Sequence, residues 1–265
     1  LALLGAGVGP GDEVITVSHT FIACANAIRQ TGGVPVLVDI EPDTFNIDPL
    51  AVEAAITPKT KALLVVHQMG MPADLARLLP LARRHGLAVV EDAACAVGSE
   101  IHIDGAWQRI GAPHGDVACF SLHPRKVITV GDGGMLTTRQ ADYDKRFRLW
   151  RQHGMSVPDT VRHASNQVIF ESYPVIGFNY RMTDLQAAVG REQLKRLPGI
   201  VARRREIAGT YARLIAERAP EAEPPHEPAW ARSNWQSYCV RLPSWARQRE
   251  VMQHMLDRGV ATRRG

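Results

Sequence analysis

The chain has 265 residues, 45% of them hydrophobic and 22% charged, which is enough apolar material for one large or two unequal domains and too much for a disordered chain. With 31 basic and 27 acidic residues the net charge is only +4, and the densest basic cluster, Arg203-Arg-Arg205, lies in a helical pattern that reads as a solvated face or a draw for an anionic nucleotide, so no nucleic-acid partner is expected. The four cysteines (Cys24, Cys95, Cys119, Cys239) form no Cys-x-x-Cys pair and no run of 18 apolar residues occurs, so a disulfide framework, a zinc site, a membrane span and a secretion signal are not expected, and a cytoplasmic location is.

In chain order, Leu1 to Leu4 reads as the last turn of a helix closed by Gly5-Ala-Gly7, and Val14 to Val17 as a strand. Phe21 to Gln30 is helical, Val34 to Val38 a strand, and Pro49 to Ile56 a helix with Asp48 as N-cap and Pro49 at its first position. Lys61 to Val66 is a strand, Asp74 to His85 a helix closed by Gly86, and Leu87 to Val90 a strand. Strands alternating with helices predict right-handed crossovers and a parallel sheet. The pattern then changes. Asp104-Gly105 predicts a hairpin within Ile101 to Ile110, and Val117 to Leu122 and Met135 to Thr138 are strands on either side of a Gly-rich turn. A helix over Asp142 to Gln152 precedes a long aperiodic stretch, 154–179, expected to be a surface or interface loop. Asp184 to Leu197 is a helix capped by Thr183, with a break expected at Pro198 and a second helix running to Arg218. Four prolines in 220–228 mark a linker, Ser237 to Leu242 reads as a strand, and a helix starts at Ser244.

Two patterns are decoys. Gly5-Ala-Gly-Val-Gly-Pro-Gly11 looks like a dinucleotide fingerprint, but it leads into a strand where that motif needs a helix, so an NAD-dependent oxidoreductase is a weak alternative. The ten histidines show no His-x-x-x-His pair with a third ligand, so no metal is expected. His19 and His67 each follow an apolar strand and read as structural, with a place at the binding edge as the alternative.

The informative residue is Lys126. Only five of the 31 basic residues are lysine, and this one sits between an apolar run and the turn Gly131-Asp-Gly-Gly134. An amine forms a Schiff base with an aldehyde, and a guanidinium does not. The plain reading is a loop lysine beside a turn. Asp92 changes the balance. It ends the apolar strand Leu87-Ala-Val-Val-Glu-Asp92, at the edge where open α/β sheets bind ligands, with Lys126 34 residues later. Pyridoxal 5'-phosphate (PLP) needs a lysine for its aldehyde and a carboxylate for its pyridine nitrogen. Asp92 also reads as an N-cap for a helix over Ala93-Ala-Cys-Ala96.

Four motifs extend this pair: Gly9-Pro-Gly-Asp-Glu-Val-Ile15 with Thr20-Phe-Ile-Ala23 and Asn26-Ala-Ile28; Glu91-Asp-Ala-Ala94; Phe120-Ser-Leu-His-Pro-Arg-Lys126 with Gly131-Asp-Gly-Gly134; and Gly177-Phe-Asn-Tyr-Arg-Met182. In these the chain resembles the DegT/StrS family of PLP-dependent nucleotide-sugar aminotransferases. The resemblance implies a fold-type I PLP-transferase: a mostly parallel central sheet flanked by helices, plus part of a small C-terminal α/β domain. It implies that Lys126 carries the cofactor aldehyde, Asp92 pairs with the pyridine nitrogen, Ser121 binds the phosphate and Phe21 packs on the ring. Cys95 falls near the cofactor where many members carry Gln or His, and a thiol is the weaker hydrogen-bonding group. Asn179 matches an asparagine that reaches the neighbouring subunit's phosphate, so a homodimer with a shared active site is implied. Amino transfer from glutamate to a keto nucleotide-sugar is the implied activity, in cell-surface polysaccharide biosynthesis. Relatives that dehydrate sugars put His at the lysine position, so Lys126 argues for transfer over dehydration, and the Lys126–Asp92 pair argues against a non-catalytic regulator. The organisation expected is a PLP-binding domain over 1–197 and a connecting helix with an incomplete smaller domain over 198–265, in an internal piece of a longer chain.

Overall fold

The computed structural model describes residues 1–264. Short helix α1 (Ala2–Gly5) leads through the glycine-rich turn into β1 (Glu13–Val17), followed by α2 (Ala23–Gln30), β2 (Val34–Val38), α3 (Pro49–Ala55), β3 (Thr60–Val66), a single 3₁₀ turn (Gln68–Gly70), α4 (Leu75–Arg84) and β4 (Ala88–Asp92). The hairpin β5 (Glu100–Ile103) and β6 (Ala106–Arg109) interrupts the alternation before β7 (Val117–Ser121), β8 (Gly134–Thr137), α5 (Ala141–Trp150), α6 (Asp159–Ala164), α7 (Asp184–Arg218), β9 (Ala231–Arg232) and α8 (Gln248–Leu256). Among the described residues no helix is long and apolar enough to cross a membrane.

Six strands form one sheet in the order β2-β1-β3-β4-β7-β8. All pairs are parallel except β7 with β8. This is the α/β architecture, a mostly parallel sheet with helices between its strands, that the alternating pattern predicts. The central strands are buried on both faces and therefore read as continuous apolar runs, Val14-Ile-Thr-Val17 and Ala62-Leu-Leu-Val-Val66. Edge strand β2 is half exposed and carries Pro35, which a sheet tolerates only where no ladder donor is needed. Ile15, Leu63 and Val14 are fully buried, each contributing about 1.5–3 kcal/mol relative to exposure.

The local signals act as their chemistry dictates. Asp48 accepts from the Leu50 N–H and Asp74 from the Arg77 N–H, capping α3 and α4. Asp104 and Gly105 both take positive φ, 52° and 76°, as a two-residue hairpin requires. The glycine-rich decoy is a turn between a short helix and a strand, with the Gly9 N–H donating to Asp12, and not a strand-to-helix loop.

Four expectations are corrected. Pro198 does not break its helix, and α7 runs unbroken from Asp184 to Arg218. Asp92 caps no helix, because residues 93–99 form successive turns. Ser237 to Leu242 is not a strand, its ladder contact being an isolated bridge between Arg241 and Glu223; among the described residues the last strand lies earlier, at Ala231–Arg232, antiparallel to β5. The stretch 154–179 contains the short helix α6. Gly265, the end of the expected second domain, lies outside the described residues.

Candidate active site

Strand β4 delivers Asp92 to its C-terminal end, beside Cys119 on β7. The carboxylate is held at both oxygens: Oδ1 accepts from the Ala94 N–H at 2.9 Å, and Oδ2 from the Cys24 thiol at 3.1 Å. Thr20 Oγ1 lies 3.2 Å from Cys24 Sγ; since the thiol hydrogen goes to Asp92, the hydroxyl is the donor into sulfur. Burial, and then the charge of Asp92, push the Cys24 thiol up to about 12, so it stays a protonated donor at neutral pH. The same two causes push Cys119 up to about 12.

Lys126 approaches from the turn after β7. Its Nζ lies 3.2 Å from Cys95 Sγ, three residues beyond Asp92, so the amine and the carboxylate converge on one sheet edge. The turn is fixed from below by an apolar cluster: Val127 and Ile128, next to the lysine, are buried with Leu122, Val130, Leu197 and Val201. The Lys126 N–H donates to the His123 carbonyl, and Thr129 Oγ1 donates to the Leu122 carbonyl. The N-terminus of α7 holds the far side, where Gln186 both completes a capping box with Thr183 and donates to the Asp132 carbonyl at 2.7 Å.

A third segment, invisible to local sequence patterns, clamps both halves. Asn234 is fully buried, and its Nδ2 donates to the Cys95 and Val97 carbonyls, each at 2.8 Å. Its Oδ1 accepts from the Gln236 N–H, and Gln236 Nε2 donates to the Arg125 carbonyl at 2.8 Å. Gly70, at φ 99°, passes so close that a Cβ there would meet Asn234 Oδ1 at 2.1 Å. These partners are more than a hundred residues apart in the chain, beyond any periodicity argument.

Below the edge, Glu91 and His67 form a fully buried pair at 3.0 Å. His67 Nδ1 accepts from the Ala73 N–H, so Nε2 carries the proton that Glu91 accepts. Glu91 Oε1 also takes the His114 and Gly115 N–H groups, at 2.9 and 2.7 Å. Burial alone would raise Glu91, but His114, His67 and the Gly115 N–H outweigh it and hold the carboxyl well below the usual carboxylate range. His67 is thus structural. His19 hydrogen-bonds Gln68 through its ring and its carbonyl and packs edge-on against Phe45.

Of the residues singled out in the sequence, Asp92, Cys95 and Lys126 are brought together. Ser121 ends β7, with Oγ accepting weakly from the His123 N–H at 3.4 Å. Phe21 is 72% exposed, just ahead of the helix that supplies Cys24. Asn179 does not join them: it is exposed, its Oδ1 accepts from Arg181, and its backbone bridges to Gln152. The residues at the edge fit PLP: a half-buried amine, a carboxylate oriented by two donors, and a hydroxyl at the end of the adjoining strand.

A lysine and an aspartate at the C-terminal rim of a mostly parallel sheet are the residue types that a PLP-transferase site requires. The chain belongs to the DegT/DnrJ/EryC1/StrS aminotransferase family, whose model matches residues 1–264. It is 42% identical over 242 residues to the GDP-perosamine synthase of Caulobacter vibrioides, a match covering 91% of this chain and 61% of that protein. Among solved structures it is similar to DesV of S. venezuelae in complex with a ketimine intermediate, at 40% identity and a TM-score of 0.85, over 97% of this chain and 64% of that one. It is also similar to the PLP form of the putative sugar aminotransferase Spr1654 of Streptococcus pneumoniae, at 28% identity and a TM-score of 0.86, over 98% and 68%. The chain spans about 61 to 66% of the length of curated relatives it matches.

Proposed function

We propose that this chain carries the cofactor site of a PLP-dependent sugar aminotransferase, moving an amino group from glutamate to a keto sugar linked to a nucleotide. The observation that carries the reading is the meeting of Lys126 Nζ with the Asp92–Cys95 turn at the end of β4. Bound PLP would supply an aldehyde and an electron-accepting ring. Asp92, held by the Ala94 N–H and the Cys24 thiol, would keep a proton on the ring nitrogen. Lys126 would hold the aldehyde and then, as a neutral amine, move a proton from the α-carbon of the amino donor. Ser121 would take the phosphate, Cys95 would sit beside the lysine, and Phe21 would cover the ring. Asn179, exposed on its segment, would serve the site of a second subunit in a homodimer.

Support for the sugar substrate comes from the relatives: one is named for making GDP-perosamine, and another, from Bacillus subtilis, for spore coat polysaccharide biosynthesis. We also propose that residues from 198 on begin a smaller domain, with the boundary inside the unbroken helix α7. The test is mass spectrometry of products formed from glutamate and a panel of keto nucleotide-sugars. An amino sugar with matching 2-oxoglutarate is expected from the wild type and none from Lys126→Ala. An active Lys126→Ala enzyme would end the reading, and free ammonia with no amino sugar would move it to elimination.

A further inference from the structure

Lys126 and Cys95 place an amine and a thiol 3.2 Å apart at the sheet edge. Both residues are half-buried and not sealed in the core. Their backbones are fixed by one segment: Asn234 holds the Cys95 carbonyl and Gln236 holds the Arg125 carbonyl, each at 2.8 Å. The pair is therefore preorganised, with the cost of alignment met in folding. Cys24, by contrast, is buried and its thiol is committed to Asp92.

We propose that Cys95 and Lys126 are an oxidative modification site, at which a peroxide drives formation of a reversible sulfur–nitrogen bond between the two side chains. In the first step a hydroperoxide oxidises the Cys95 thiol by two electrons to a sulfenic acid and is itself reduced to water or an alcohol. In the second, the lone pair of Lys126 Nζ attacks that sulfur. The S–N bond forms, the S–O bond breaks, and the hydroxyl leaves as water with a proton from the amine. The condensation parallels the known reaction of sulfenic acids with backbone nitrogen, with the lysine amine, 3.2 Å away, as the nucleophile. Two equivalents of a small thiol reverse it, restoring thiol and amine and leaving a disulfide of the reductant. In one respect the inference rests on the function proposed above: a lysine engaged by the cofactor aldehyde is no longer a free primary amine, so bound PLP would guard the site.

The test treats the protein with hydrogen peroxide and reads intact mass and tandem spectra. A loss of about 2 Da, reversed by dithiothreitol, with a peptide joining residues 95 and 126, is expected. Cys95→Ser should lose the link, and Lys126→Arg should carry Cys95 on to the sulfinic acid, a gain of about 32 Da. Both changes are conservative, and circular dichroism checks that each variant folds. PLP at ten times its Kd should slow the link about tenfold, the fraction of lysine left free. Sulfinic acid forming in the wild type as fast as in Lys126→Arg, with no link, overturns the modification site and leaves the cofactor reading standing. A link that forms equally fast under saturating PLP supports the modification site and overturns the cofactor role of Lys126.

Discussion

Cys24 shows how an unremarkable side chain shapes the chemistry of its neighbour. It is buried, its thiol is pushed up to about 12, and its hydrogen points at Asp92 Oδ2. A hydrogen bond to a charged group contributes about 1.5–3 kcal/mol, so Cys24→Ala should weaken PLP binding about tenfold, and Cys24→Ser should restore most of it. Fluorescence titration with PLP reads both variants, and equal affinity in all three proteins would remove Cys24 from the site. Glu91 makes the complementary case for stability. Its carboxyl is held below the usual range, so the unfolded chain takes up that proton more readily than the folded one. The stabilisation is fully present above the ordinary value of 4.5 and is lost as pH falls from there toward the depressed folded value. Acid titration of the unfolding free energy should therefore show a decline below about pH 4.5 that Glu91→Ala lacks. That variant leaves the His67 ring and the His114 and Gly115 N–H groups unpaired, and at neutral pH it should lose about 3 kcal/mol or more in denaturant unfolding.

Helix α7 carries the element-level lesson. A proline in a helix interior removes one hydrogen bond and clashes with the preceding turn, which is why a break was expected at Pro198. The helix continues because Pro198 lies on its exposed face, while Leu197 and Val201 on the buried face pack over Gly98 and the lysine turn. Packing outweighs propensity here. Two glycines, one within this helix and one in the turn packed beneath it, offer a contrast. Gly209 is exposed, with nothing within 4 Å of an added Cβ, so Gly209→Ala should stabilise by about 1 kcal/mol. Gly98 has φ +83° and would place a Cβ 2.9 Å from Val201, so Gly98→Ala should destabilise by about 1–3 kcal/mol and loosen the cluster beneath Lys126. Urea midpoints of the two variants should move in opposite directions. The parallel strands, the hairpin at Asp104-Gly105 and the lysine turn were legible because each rests on residues adjacent in the chain. The strand expected at Ser237 was not, because its apolar run is used for irregular packing around Trp235 and Tyr211. The Asn234 clamp was hidden for a related reason: a buried amide acts through carbonyls 137 and 139 residues away, and no local pattern records that.

Taken as one body, the molecule places its exposed apolar side chains unevenly. Val168, Phe170, Ile176 and Leu185 are each more than four-fifths exposed, and all lie on the segment between α6 and the start of α7. The same segment carries Asn179, and two of its backbone hydrogen bonds tie it to the end of α5, so it presents a defined surface. Scattered exposed apolar residues are ordinary, but a concentration of large ones next to a polar side chain, one proposed above to serve a cofactor site, fits an association surface. We propose that two copies meet through it and that each lends Asn179 to the other. Sedimentation at micromolar concentration should show a dimer, and Phe170→Arg combined with Ile176→Arg should shift it to monomer by placing like charges on the contact. Because Lys126 and Asp92 stay within one chain, the monomeric variant should keep its lysine–aldehyde chemistry yet bind PLP more weakly, having lost a phosphate contact. A variant that becomes monomeric with undiminished PLP affinity would separate association from the site and leave Asn179 without a role there.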